Sequence, residues 1–168
     1  MDSFMEALVS EATDKIPEEY DWFAPLLGDW DFEYCDGYDT GELRTVKGEW
    51  IFRRVLNGTG IEDLFLCPSR KTMYSNPQPD GEYGMAIRIY NDKEKCYDMA
   101  YACEKGITQL RFFKENEKLV GTVTADPSQK WVFSEIKKDT FHWQNITVLE
   151  NGEWRVNSNV YAKRKDIL

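Results

Sequence analysis

The sequence predicts an all-β protein, an antiparallel up-and-down meander β-barrel of about ten strands with one N-terminal helix. Three observations carry that prediction. From Gly28 onward apolar and polar residues alternate with a period of two. The segments so marked are separated mostly by short turn signals. Aromatic residues make up 14% of the chain, a share that favours sheet over helix. A long meander closes on itself because closure removes both exposed edges. The 168 residues fit a single barrel domain over 21–168, led in by a helical segment over 1–20, with no internal repeat.

The elements follow in order. Phe4, Met5, Leu8, Val9 and Ala12 recur at three- and four-residue spacing, which predicts an amphipathic helix over 2–15, ended by Pro17. This helix is expected to plug one barrel end, with a homodimer contact as the alternative. Trp22-Phe23-Ala24-Pro25-Leu26-Leu27 reads as a turn or single helical turn closing one end of the core. Trp30, Phe32 and Tyr34 then alternate with Asp29, Asp31 and Glu33, which opens the first strand. Further strands are expected at 43–56, 59–66, 84–91, 95–103, 106–114, 117–125, 129–137, 140–149 and 153–163. The one long break, Cys67 to Tyr83, carries Pro68, Pro77, Pro79 and Gly81 and reads as a loop over a barrel mouth.

These segments resemble a known superfamily as a set. Leu27-Gly28-Asp29-Trp30 is similar to the G-x-W start of calycin barrels, and Tyr161-Ala162-Lys163-Arg164 supplies the terminal-strand arginine that this resemblance stacks on the tryptophan. Gly48-Glu49-Trp50-Ile51-Phe52, Val55-Leu56-Asn57-Gly58, Ile61-Glu62-Asp63 and the run Tyr83 to Tyr90 resemble a family of uncharacterised bacterial lipocalin-like proteins of the DUF1579 type. Trp131 to Ile136, Asp139 to Trp143, and Gly152-Glu153-Trp154-Arg155 continue the match, which covers roughly residues 22–165. The resemblance implies a lipocalin-like barrel and no particular activity. The helix at 2–15 matches none of its motifs, and Tyr97-Asp98-Met99-Ala100-Tyr101 carries tyrosines where the family pattern has tryptophans.

Charge narrows the partners. A net charge of −9 and a pI near 4.7 repel phosphate backbones and anionic headgroups, so neither nucleic acid nor membrane is expected. The four cysteines form no C-x-x-C pair, and the acidic N-terminus has no unbroken apolar run, so free thiols and a cytoplasmic location are expected.

Parity then selects candidate site residues. Asp63 alternates with Ile61 and Phe65, Glu135 with Trp131 and Phe133, and Arg54 with Phe52 and Leu56. Arg88 and Arg111 complete this group, although Met85, Ile87 and Ile89 make a good apolar face without Arg88. Inward charges must pair with one another or hold a ligand. Trp50, Tyr101 and Trp143, with Phe52, Tyr97, Trp131 and Phe133, are the expected walls. Together they suggest a small apolar or amphipathic ligand, its polar end fixed by Asp63 and the arginines. Two alternatives stay open: a barrel enzyme using Asp63 or Glu135 as general base, and a filled barrel serving as an interaction scaffold. No cofactor or metal is expected. His142 is the single histidine, flanked by Phe141 and Trp143 of opposite parity, and the acids from Asp29 to Glu42 lack calcium-loop spacing.

Overall fold

The computed structural model describes residues 2–166; Met1, Ile167 and Leu168, at the outer limits of the predicted ranges, lie outside the described residues. Ten antiparallel strands form a closed barrel in which each pairs with the next and the last returns to the first. They are β1 (Gly28–Asp36), β2 (Arg44–Val55), β3 (Gly60–Cys67), β4 (Glu82–Asn91) and β5 (Cys96–Cys103). β6 (Gly106–Glu115), β7 (Lys118–Val123), β8 (Gln129–Ser134), β9 (Thr140–Val148) and β10 (Trp154–Arg164) complete the circuit. The predicted strands are present, with β7 and β8 each ending earlier than the sequence suggested.

The helix is shorter than expected. α1 spans only Ser3–Leu8, capped by the Asp2 carboxylate, which accepts from the Phe4 amide at 2.8 Å. Val9 leaves the helix to bridge Val55, and the Ser10 amide donates to the Arg54 carbonyl at 2.9 Å. Backbone pairing with the end of β2 thus outcompetes the helical periodicity of Val9 and Ala12. α1 buries no residue and leaves Phe4 67% exposed, so it does not plug the barrel.

The plug is the stretch that follows. Ile16, Phe23 and Leu26 are buried beneath the strands, in and around two short 3-10 helices at Glu18–Tyr20 and Ala24–Leu26. Polar contacts fix the plug in place. Arg54 of β2 donates twice to the Asp21 carboxylate, at 3.2 and 2.8 Å, and the Tyr97 hydroxyl donates to the Tyr20 carbonyl at 2.6 Å. At the same end Trp30 donates to the Leu26 carbonyl at 2.7 Å, and the Arg164 guanidinium lies 4.1 Å from the Trp30 ring centroid. Arg164 also donates to the Leu27 carbonyl at 2.7 Å. Gly28 is glycine for this reason: its φ is +124°, and a side chain there would overlap the Arg164 guanidinium.

The segment after β3 folds back along the outside of β2, with the Ser69 amide donating to the Lys47 carbonyl at 2.9 Å. It covers Glu49, which is 2% exposed and accepts from the Arg70 amide and guanidinium and from Lys165. The Arg70 bonds hold the Glu49 carboxyl at about 2, below its ordinary 4.5. A depressed folded-state pKa gives stability that is complete above the ordinary value and lost as pH falls toward the folded one. Unfolding at pH 5 and at pH 2 is expected to differ by roughly 2 kcal/mol more in the wild type than in Glu49→Gln. Equal slopes in the two proteins would remove this role for Glu49.

Candidate ligand-binding site

The barrel interior has two halves. Toward the plug it is packed with rings: Phe23, Trp30, Phe52, Phe112, Phe133 and Phe141 are each no more than 3% exposed. Toward the mouth it holds a cavity of about 300 Å³. The difference follows from side-chain choice at inward positions. Plug-side strand ends supply phenylalanine, while mouth-side ends supply Asn145, Ser158, Thr108 and Cys103.

The cavity floor is an ion pair. Asp63 and Arg88 are each 1% exposed, and Arg88 donates to one Asp63 oxygen. The other oxygen accepts from Trp50 Nε1 at 2.8 Å. Below the pair, the guanidinium lies 4.8 Å from the Phe23 ring centroid and 5.6 to 5.7 Å from those of Phe52, Phe112 and Phe133. Ring faces offset part of the desolvation of the cation. Arg88 Nε is buried without a hydrogen-bond partner among the described residues. Both Asp63 oxygens are thus engaged within the floor.

The walls are aromatic. Trp131 and Trp143 stand 6.1 Å apart, and Tyr101 meets Trp131 edge-on at 5.3 Å. Among the described residues, neither the Trp131 nor the Trp143 indole N–H donates to a protein acceptor. Tyr34 and Phe65 line the same space. Gly84 of β4 makes room for Tyr101, whose ring occupies the volume a Cβ would fill. The Tyr101 hydroxyl donates to Glu82 at 2.7 Å; burial, then this bond, pushes its pKa up. At the rim Arg44 grips the carboxylates of Asp36 and Asp80 and ties the long loop to β1. Lys105 reaches Glu82 at 3.2 Å.

Of the residues singled out from sequence, Trp50, Asp63, Arg88, Tyr101 and Trp143 converge on this cavity. Three do not. Arg54 points inward but binds Asp21 of the plug, at the opposite end. Arg111 lies on the outer face, 44% exposed and paired with Asp98, because Leu110 and Phe112 take the inward positions beside it. Glu135 falls just past the end of β8 with φ of 49° and a 74% exposed side chain, so the parity of Trp131 and Phe133 does not extend to it. Tyr34, Asn145 and Ser158 were missed, although counting inward positions from Phe32, Trp143 and Val160 reaches each of them.

His142 is on the outer face, stacked on Tyr161 at 4.8 Å and bonded to Asn159 at 2.8 Å. Cys67 and Cys103 face the cavity; burial pushes the Cys67 thiol up to about 12, so it stays protonated at neutral pH. Among the described residues no cluster of His, Cys, Asp or Glu is placed to hold a metal ion, and no helix is long and apolar enough to cross a membrane.

The closed ten-stranded meander is shared with solved structures. Rv2717c from M. tuberculosis superimposes with a TM-score of 0.57 at 11% identity, over 91% of this chain and 100% of that one. The S-type phycobiliprotein lyase CpeS from Guillardia theta superimposes with a TM-score of 0.51 at 10% identity, over 88% of this chain and 93% of that one. The shared property is the lipocalin-like fold. No family model matches the chain, and no curated protein does, so the DUF1579-type resemblance gains no support.

Proposed function

We propose that the protein binds a small apolar or amphipathic molecule in the mouth half of the barrel. The apolar body rests against Trp131, Trp143, Tyr101 and Phe65, and the polar group faces either the Asp63–Arg88 floor or the Arg44 and Lys105 rim. The observation that carries this reading is the asymmetry of the interior: one half is packed solid, and the other keeps a cavity with aromatic walls and unpaired indole donors. At about 300 Å³ the cavity is at the small end of ligand pockets. It suits a ligand of roughly ten to fifteen non-hydrogen atoms. The same reading places the protein in the cytoplasm, which its four free thiols support.

Ala86 tests the reading. It is 1% exposed, faces the cavity and carries no polar contact that a substitution would break. Ala86→Phe is expected to fill the space and weaken binding of 2-naphthol, a probe of suitable size, by at least tenfold, or about 1.4 kcal/mol. The measurement is a titration followed by tryptophan emission, with the melting temperature of the variant held as control. Equal binding by both proteins, or none by the wild type to a panel of such probes, would count against the cavity as a site.

A further inference from the structure

The cavity in the mouth half has an uneven supply of hydrogen-bonding groups. Its carboxylates are Asp63, Asp80 and Glu82, and each of their oxygens accepts from a protein donor. Arg88 and Trp50 donate to Asp63, Arg44 to Asp80, and Tyr101 and Lys105 to Glu82. The cations of the lining are Arg44, Arg88 and Lys105, so each already faces a carboxylate, and Arg44 grips Asp36 as well. The charges of the lining therefore balance, and Asp36 tips the mouth negative. Neutral donors are what remain. Trp131 and Trp143 line the cavity with indole N–H groups that, among the described residues, donate to no protein atom. Asn145 is similar: its Oδ1 accepts from Asn157, while its own amide N–H group has no protein acceptor among the described residues. Trp143 stands 5.8 Å from Trp50, the indole that donates to Asp63, which puts its ring at the level of the floor.

We propose that the molecule bound here is an uncharged carbonyl compound with an apolar body, its carbonyl oxygen received at the floor end of the cavity by the Trp143 N–H. The proposal rests on the cavity being the binding site, and it selects the floor over the rim, whose cations Arg44 and Lys105 are committed to carboxylates. A ligand without an acceptor strips water from the indole N–H groups and returns nothing for it, whereas a carbonyl oxygen restores the bond. A carboxylate does not fit the charge balance. Entering the cavity costs it its hydration, and no cation of the lining is left without a counterion to offset that cost. An ammonium group brings further donors to a wall that already lacks acceptors. The neutral acceptor is the one class that matches both the idle donors and the balanced charge.

Equilibrium dialysis of the full chain against three probes of similar shape tests it. They are 2-acetylnaphthalene, a neutral acceptor; 2-ethylnaphthalene, which has no acceptor; and 2-naphthoate, ionised at neutral pH. The ketone is expected to bind roughly fivefold tighter than the hydrocarbon, the gain of one net hydrogen bond. Burial of apolar area alone predicts the reverse order. The ketone is also expected to bind at least about tenfold tighter than the naphthoate. Trp143→Phe keeps a ring and removes the N–H, so the ratio of ketone to hydrocarbon affinity is expected to fall close to one. Should that variant fail to fold, the order in the wild type decides. A hydrocarbon that binds as tightly as the ketone, a naphthoate that binds tightest, or an unchanged ratio in Trp143→Phe would overturn the proposal. If such binding is lost in Ala86→Phe, the cavity remains the site and only the carbonyl assignment falls. Binding of none of the three would overturn both.

Discussion

Asp63→Ala is expected to lower the free energy of unfolding by roughly 3–5 kcal/mol, the loss typical of a broken buried ion pair. The substitution leaves the Arg88 guanidinium 1% exposed among four phenylalanine rings with no counterion, and it strips Trp50 Nε1 of its acceptor. Arg88→Met is expected to cost a similar amount for the converse reason, a buried carboxylate left with the Trp50 N–H and no cation. The double variant Asp63→Leu/Arg88→Met should recover most of the loss, because paired apolar replacement of a buried ion pair is often close to neutral. Guanidinium unfolding of the wild type, the double variant and the singles Asp63→Leu and Arg88→Met closes the cycle and gives the coupling directly. Single variants within about 1 kcal/mol of wild type would mean that the pair is not closed in solution. The double variant also separates stability from recognition. If it folds and still takes up the wild-type ligand, the floor is structural and the polar end of the ligand faces the rim.

The second large effect belongs to the plug. Phe23 is fully buried and meets Tyr97, Phe112 and Phe133 edge-on at centroid distances of 4.9, 5.5 and 6.0 Å. It also forms the nearest ring face to Arg88. Phe23→Ala therefore removes ring packing from three strands and part of the cation's cage. A loss of about 3–5 kcal/mol is expected, read as a melting temperature lower by roughly ten degrees for a chain of this size. Protease cleavage within residues 10–27 should accelerate before the strands become susceptible. A variant that melts like wild type would show that the plug is not coupled to the barrel.

Residue spacing is informative about this fold where it reports one face at a time. Trp30, Phe32 and Tyr34 alternate with acids, and β1 carries that alternation with Trp30 and Phe32 buried and Asp31 and Glu33 exposed. β4 is ambiguous because both of its faces have a claim to be buried. Met85, Ile87 and Ile89 make the better apolar row, yet the inside needs Gly84 for the Tyr101 ring and Arg88 for Asp63. Those needs arise from β3 and β5 and are invisible within β4 itself. Arg111 and Glu135 were misplaced for two different reasons. The inward row of β6 passes through Leu110 and Phe112, and β8 stops one residue before Glu135. The helix was overextended because its periodicity cannot register that Val9 has a strand partner at Val55. The cavity itself had no signature in the spacing. It exists because Asn145, Ser158 and Thr108 are smaller than the phenylalanines at equivalent positions nearer the plug.

The mouth half of the barrel is the proposed binding site. Native mass spectrometry of protein purified without refolding, set against its denatured mass, tests it most directly. A reproducible excess that disappears on denaturation is expected, of a size fitting roughly ten to fifteen non-hydrogen atoms, and absent from Ala86→Phe. An identical excess in Ala86→Phe would place the bound molecule outside the cavity. Native and denatured masses that agree in the wild type, together with no binding of small aromatic probes, would contradict the account and leave the barrel as a scaffold.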